Sequence, residues 1–152
     1  MKPRIQWHEV APEAYKAQAT VEQYVRNCGL EKPLLELVKL RASQINQCAF
    51  CIDMHWNDAR AAGETEQRLY GLSAWRESPY YTDRERAALE WTEAVTVLTN
   101  GFVPDAAYDA ARSHFNEKEL VNLTMAIVAI NGWNRLSVSF RSEPGKYQPR
   151  KR

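Results

Sequence analysis

The sequence predicts an all-α protein, a compact bundle of about six to seven helices. Prolines stand at the starts of apolar segments and glycines just after their ends, which is the asymmetry that helices show. Two capping-box patterns precede long segments with a helical apolar stripe. No stretch alternates between apolar and polar residues for long enough to predict a strand. These three observations together favour an all-α fold.

Four helices are predicted in the first half of the chain. They cover residues 12–29, 33–45, 48–62 and 65–78. Pro12 and Pro33 mark two of the starts, because proline is well tolerated in the first helical turn. Gly29 and Gly63 follow two of the ends, where glycine can adopt a left-handed conformation. Gly71 interrupts the fourth segment.

Three more helices follow. The sequence from Thr82 to Glu85 is a capping box that opens a long fifth helix. The buried stripe of that helix is Ala88, Trp91, Val95 and Leu98. Pro104 starts a short sixth helix, and a capping pattern from Asn116 to Glu119 opens the last one.

The last helix is apolar on two sides. One row is Leu120, Leu123, Ile127 and Ile130, and a second row is Val121, Met125 and Val128. A helix of this kind lies at the centre of its domain or in a subunit interface. The second apolar row predicts a symmetric homo-oligomer, and so do four further large apolar groups in a chain of this size, Trp56, Trp75, Trp91 and Trp133.

Charge is unevenly distributed, although the net charge is only +1. Residues 141–152 carry five cations and one anion, a charge of +4, which leaves −3 for residues 1–140. This contrast predicts a helical domain over 1–140 and a basic C-terminal tail over 141–152. The small net charge argues against nucleic acid or a membrane surface as a partner. No apolar run approaches the ~20 residues that span a bilayer, and no secretory signal is evident, so we expect a cytoplasmic protein.

The chain has three cysteines, Cys28, Cys48 and Cys51. Three are too few for a disulfide scaffold, and in a reducing compartment a Cys-x-x-Cys pair is more often metal-binding or redox-active. Cys28 has no partner in the sequence and is interpreted as a packing residue.

The cysteine pair and a histidine share one face of the third predicted helix. Cys48, Cys51 and His55 stand at positions i, i+3 and i+7. With Asn46 as the predicted N-cap, both cysteines lie in or near the first turn, where free amides and the helix dipole favour a thiolate. His55 can then exchange a proton with a thiol.

Glu36 is the candidate acid upstream of the cysteines. If the second and third helices were one rod, Glu36 and Cys48 would lie about 18 Å apart, too far to cooperate. A break near Asn46 would let the chain turn so that Glu36 faces the cysteines. Between Leu35 and Leu37, and close to thiols, this carboxyl group is expected to have a raised pKa, which suits a proton relay near neutral pH.

The residues themselves leave other interpretations open. Two cysteines, a histidine and a carboxylate also form an acceptable tetrahedral zinc set, although no second Cys/His pair is present. The cysteines could equally be small buried apolar residues, and Glu36 a solvated surface residue.

The pattern Glu36-x11-Cys48-x2-Cys51-x3-His55 resembles the signature of the alkylhydroperoxidase D (AhpD-like) group of the carboxymuconolactone decarboxylase superfamily. The segments RASQIN, DRERAALEWTEAVT and INGWNRL are also similar to the small single-domain members, so the resemblance covers roughly residues 10 to 140. It implies an AhpD-like helical bundle and a homo-oligomer, commonly a trimer or a hexamer. It also implies peroxide reduction through the cysteine pair, with no bound cofactor or metal.

The helix dipole and the resemblance favour different nucleophiles. The dipole favours Cys48, whereas the resemblance favours Cys51 with Cys48 as the resolving thiol; we follow the resemblance because Cys51 is also one turn from His55. In the predicted cycle the Cys51 thiolate attacks a hydroperoxide, Cys48 forms the disulfide, Glu36 and His55 relay protons, and an external thiol or dithiol restores the pair. The best-known peroxidases of the group carry a histidine directly before the second cysteine, where this chain has Phe50.

Two alternative functions follow from these residues. One is a zinc-binding or redox-sensing structural module. The other is an acid–base decarboxylase or lactone-type enzyme without thiol chemistry, because the original decarboxylases of the superfamily lack this cysteine pair.

Overall fold

The computed structural model describes residues 2–149 and is all-α, as predicted, with no strand in that range. It has eight α-helices, more than the six to seven predicted. They are Trp7–Val10 (α1), Pro12–Arg26 (α2), Lys32–Ile45 (α3), Ala49–Ala61 (α4), Glu66–Tyr70 (α5), Asp83–Thr96 (α6), Asp105–Arg112 (α7) and Glu117–Phe140 (α8). Short 3-10 helices at Gly71–Ala74 and Leu98–Asn100 follow α5 and α6.

The additional helix is α1, a single turn. A single turn shows no apolar periodicity, so the sequence pattern could not indicate it, and its stability depends on tertiary contacts. Trp7 is 9% exposed, and its ring lies 6.1 Å from that of Trp133 on α8. The backbone N–H of Arg4 donates to the carbonyl of Phe140, which ties the N-terminal segment to the end of α8.

The two predicted capping boxes are present. Thr82 caps α6 and Asn116 caps α8, and each forms a complete capping box with the glutamate three residues later, Glu85 and Glu119. Each box satisfies two backbone N–H groups at a helix start, so these boundaries are determined within four residues of sequence.

Helix α3 lies at the centre of the bundle, packed against α4, α6 and α8. Leu37 and Val38 are fully buried and belong to two different core clusters. Because α3 is covered on most sides, its polar residues Glu36, Lys39 and Arg41 form ion pairs with other helices. This position is the reason why Glu36 can meet side chains of α4.

The two apolar rows of α8 have different environments. The row from Leu120 to Ile130 is at most 5% exposed and forms part of the core. In the other row, Val121 and Val128 are 59% and 50% exposed. Neither α8, with its 24 residues, nor any other helix within residues 2–149 is long and apolar enough to cross a membrane.

The chain leaves the bundle after α8, where Arg141 adopts a left-handed conformation with φ 58°. Residues 142–149 have no regular secondary structure, yet two of them, Gly145 and Tyr147, donate hydrogen bonds to α4. The last three cations of the predicted basic tail, residues 150–152, lie outside the described residues.

Candidate active site

A tight reversal between α3 and α4 brings Glu36 towards the cysteines. Asn46 caps the C-terminus of α3, and Gln47 has a left-handed conformation with φ 54°. The side-chain amide of Asn46 donates to Asn131 and Asn134 of α8, at 3.0 and 2.9 Å, and these bonds anchor the reversal. The predicted break is therefore present, but the prediction that Asn46 caps the start of the next helix is wrong.

Cys48 is the N-cap of α4. Its Sγ accepts a hydrogen bond of 3.3 Å from the backbone N–H of Cys51, the interaction that a side-chain oxygen makes in an ordinary N-cap. The two cysteines form a disulfide with their Cα atoms 5.3 Å apart, within the usual range for such bonds. Helix α4, the third helix in the sequence prediction, thus begins one residue later than predicted, and the Cys48–Cys51 disulfide closes its first turn.

Apolar side chains surround the sulfur atoms. Both cysteines are only 1% exposed. They form a small cluster with Ala42 and Ile130, against which Phe50 and Trp133 pack. A substrate therefore reaches a sulfur atom only when one of the covering side chains moves.

Glu36 and His55 form a hydrogen-bonded pair. Glu36 Oε2 lies 2.8 Å from His55 Nδ1, although the residues are 19 positions apart in the sequence. His55 is 5% exposed and stands one turn after Cys51 on α4. An ionised Glu36 holds the imidazole proton on Nδ1, which leaves Nε2 free to accept a proton.

The prediction of a raised pKa for Glu36 is wrong. Burial does raise the pKa of this carboxyl group, but the hydrogen bond and charge of His55, together with the charges of Lys39 and Arg26, outweigh it and hold the pKa below its ordinary value. The leucines beside Glu36 suggested a raised pKa. Lys39, one turn further along α3, could have been inferred from its spacing, whereas His55 and Arg26 reach Glu36 only through the fold. Glu36 is thus a carboxylate near neutral pH, suited to orient His55 and stabilise its charged form.

Two residues near this pair were missed by the sequence interpretation. Asp58 follows His55 by three positions, and its carboxylate lies within 4.8 Å of the donor atoms of Glu36 and His55. Its spacing on α4 could have indicated it. Tyr147, 89 positions further along the chain, donates a 2.7 Å hydrogen bond to Asp58 Oδ1, and no sequence signal predicts this contact.

Glu36, His55 and Asp58 are the residues within 2–149 whose donor atoms cluster closely enough to hold a metal ion. This set offers oxygen and nitrogen atoms, and neither cysteine belongs to it. Because the two sulfur atoms are bonded to each other, they have no thiolate to offer to zinc in this form. The zinc set considered from the sequence, with both cysteines, is therefore not assembled here.

Cys28 is half-buried and packs against the main core cluster, not against the cluster that contains the disulfide. Its backbone carbonyl accepts a hydrogen bond from the side chain of Asn122. This environment agrees with a packing role.

Comparison with known proteins finds a matching family and a relative of similar length. The sequence model of the carboxymuconolactone decarboxylase family matches residues 12–94, a range that includes Glu36, both cysteines of the pair and His55. The uncharacterized protein YdfG of Bacillus subtilis (strain 168) is 45% identical over 139 residues, which are 91% of this chain and 95% of that protein.

Solved structures show the same fold. ATU0492 from Agrobacterium tumefaciens, a protein of unknown function and a candidate antioxidant defence protein AhpD, has a TM-score of 0.93 at 48% identity and covers 96% of this chain and 100% of its own. A peroxidase-related protein from Ralstonia eutropha JMP134 with an alkylhydroperoxidase AhpD core has a TM-score of 0.80 at 19% identity, over 91% of this chain and 74% of its own, which concerns the fold alone. The chain therefore belongs to the carboxymuconolactone decarboxylase family, as an AhpD-like member.

Proposed function

We propose that the protein is a thiol-dependent peroxidase that reduces hydroperoxides through Cys48 and Cys51. The observation that carries the proposal is a disulfide at the start of α4 with the Glu36–His55 pair one helical turn away. Family membership supports an oxidoreductase or related activity at a coarser level. A nucleophilic thiol, a resolving thiol and an oriented base are the groups that peroxide reduction requires.

In the oxidative half of the cycle, His55 takes the proton of the Cys51 thiol. The thiolate attacks the terminal oxygen of the hydroperoxide, the O–O bond breaks, and Cys51 becomes a sulfenic acid. The leaving alkoxide receives the proton from His55, whose charged form Glu36 stabilises. The Cys48 thiol then attacks the Cys51 sulfur, and the hydroxyl group leaves as water with the thiol proton.

In the reductive half, an external thiol or dithiol returns the disulfide to two thiols and is itself oxidised to a disulfide. Attack at the Cys51 sulfur releases Cys48 as a thiolate. The N–H of Cys51 that points at Cys48 Sγ stabilises this leaving group. The cycle operates in the cytoplasm in this proposal, because the thiol pool there can supply the reductant.

The assignment of Cys51 as the attacking thiol rests on its distance of one turn from His55. The hydrogen bond to Cys48 Sγ favours negative charge on Cys48 instead, in agreement with the helix dipole. We retain Cys51, because the attacking thiol needs a base and the leaving oxygen needs a proton from the same group.

A thiol titration before and after one equivalent of hydroperoxide tests the function directly. Reduced protein is expected to lose two titratable thiols per chain and to regain them with a dithiol, while Cys28 stays unchanged. Protein that retains all its thiols after exposure to hydrogen peroxide and to an organic hydroperoxide would contradict the proposal.

The cluster of Glu36, His55 and Asp58 favours a second candidate, an acid–base enzyme acting on a lactone or keto acid. This chemistry needs proton transfer but no thiol. Turnover of such a substrate that survives replacement of both cysteines would identify it. A zinc-binding module would instead carry stoichiometric metal in untagged protein, and a redox-sensing module would form the disulfide without catalytic turnover.

We further propose that the protein works as a homo-oligomer, a trimer or a hexamer. The exposed row with Val121 and Val128 supports this, together with a groove of about 370 Å³ beside it that is lined partly by Val95 and Leu98. Burying this surface in a subunit contact would remove apolar area from water. Light scattering that gives the monomer mass of 17.5 kDa at micromolar concentration would contradict it.

A further inference from the structure

The segment after α8 runs alongside α4 and is held to it at two points. The backbone N–H of Gly145 donates to Asp53 Oδ2 at 2.9 Å, and the Tyr147 hydroxyl donates to Asp58 Oδ1 at 2.7 Å. Asp53 and Asp58 are five residues apart on α4, a rise of about 7.5 Å, so residues 145–147 run along the surface of this helix.

Tyr147 is placed beside the candidate proton relay by this contact. Its partner Asp58 has a carboxylate oxygen within 4.8 Å of Glu36 and His55 donor atoms. The ring is half-buried, although the residue belongs to a segment without regular structure. Burial and the hydrogen bond to Asp58 raise the pKa of Tyr147 to about 12, so the hydroxyl stays protonated and keeps donating across the physiological range.

We propose that Tyr147 is a positioning residue of the candidate active site. It holds the Asp58 carboxylate next to the Glu36–His55 pair and so sets the pH range in which that pair accepts a proton from a cysteine thiol. This inference rests on the proposed function, because it assumes that His55 exchanges protons with the thiol.

The physical reason is the balance of charge in the cluster. Two carboxylates and an imidazole lie close together, and a hydrogen bond donated to one carboxylate favours its ionised form. Without the phenol, the cluster retains a proton up to a higher pH. The cluster itself consists of Glu36 from α3 and His55 and Asp58 from α4. The charged groups nearest to it are Lys39 from α3 and Glu22 and Arg26 from α2.

The test measures alkylation of the reduced protein by iodoacetamide as a function of pH, with the modified cysteine identified by mass spectrometry. Tyr147→Phe removes only the hydroxyl. We expect the midpoint of the alkylation profile to rise by about half a pH unit or more, because a carboxylate without its hydrogen-bond donor places more negative potential at the thiol and disfavours the thiolate. Tyr70→Phe is the matched control, since Tyr70 is 70% exposed, and it should leave the midpoint unchanged.

A double-mutant comparison separates this role from a general structural one. If Tyr147 acts through Asp58, then Tyr147→Phe produces no further shift in an Asp58→Asn background. Equal shifts in both backgrounds would overturn the proposal, and so would an unchanged midpoint in the single variant.

Gly145→Val provides a second variant that leaves the phenol in place. Gly145 has φ +87°, a conformation that is strained for a β-branched residue, while no atom lies within 4 Å of the added Cβ. It should loosen the segment and shift the midpoint in the same direction by a smaller amount, and a shift in the opposite direction would overturn the proposal. Because alkylation needs no peroxide, protein that fails to consume peroxide would refute the proposed function while these readouts still decide the role of Tyr147.

Discussion

The two halves of the candidate site lie one helical turn apart and differ in almost every physical respect. Cys48 and Cys51 are enclosed by apolar side chains and are 1% exposed. Glu36 and Asp58 are half-buried. Glu36 is hydrogen-bonded to His55, and Asp58 accepts a hydrogen bond from Tyr147.

In the proposed function, this difference matches the task of each half. A thiol or disulfide in an apolar environment is protected from unwanted oxidation and exchange, and reacts only when its cover opens. Proton transfer needs groups that are oriented by hydrogen bonds and connected to a partner that takes the proton. Since the two functions rest on separate residues, substitutions in one half should leave the other half measurable.

The largest expected effect comes from the cysteines. Cys51→Ser should abolish peroxide consumption, whereas Cys48→Ser should react once and leave Cys51 as a sulfenic acid, because the resolving thiol is absent. Each variant is treated with peroxide and then with a sulfenate-specific trapping reagent, and mass spectrometry detects the modified cysteine. If the hydrogen bond to Cys48 Sγ decides which thiol is activated, the two phenotypes will be exchanged.

The second effect concerns the proton-handling half. Glu36→Gln keeps the size of the side chain but cannot hold His55 by a charge, and loss of an acid–base group typically costs ~10²–10⁴ in rate. Peroxide turnover should fall by that order, with the helical circular dichroism unchanged. Glu77→Gln, on an exposed residue, is the control. Equal pH–rate profiles for wild type and the Glu36 variant would show that Glu36 has no part in the chemistry.

The third effect probes the apolar cover. Trp133 packs against the disulfide cluster, so Trp133→Ala should lower the free energy of unfolding by about 2–4 kcal/mol, as partly buried aromatic residues do. It should also speed the alkylation of the reduced cysteines. Trp56→Ala removes a similar ring from a different cluster and should destabilise the protein without changing cysteine reactivity. Identical cysteine rates in both variants would mean that Trp133 does not cover the sulfurs.

The smallest effect is a pH dependence of stability. The pKa of Glu36 is lowered in the folded protein, so its ionised form stabilises the fold above the unfolded-state pKa, and this contribution is lost as the pH falls through the folded-state pKa. The difference in unfolding free energy between wild type and Glu36→Gln should shrink as the pH falls below about 5. A difference that grows on acidification would require a raised pKa instead.

The local features of this protein were predictable from the sequence. The capping boxes at Thr82 and Asn116 each close within four residues, so the chain around them contains all the atoms that define the boundary. The shared face of Cys48, Cys51 and His55 follows from helical periodicity in the same way. The family resemblance rested on such spacings, and it is confirmed by the family match and the fold.

Tertiary structure alone decided the remainder, because it depends on which distant groups meet. The lowered pKa of Glu36 needs His55 on α4 and Arg26 on α2 in addition to Lys39 one turn along α3, whereas the adjacent leucines predicted the opposite direction. The turn at α1 exists because Trp7 meets Trp133, and Tyr147 reaches Asp58 across 89 residues. Periodicity reports only which face a side chain occupies, and the group opposite that face is determined by packing of the whole chain.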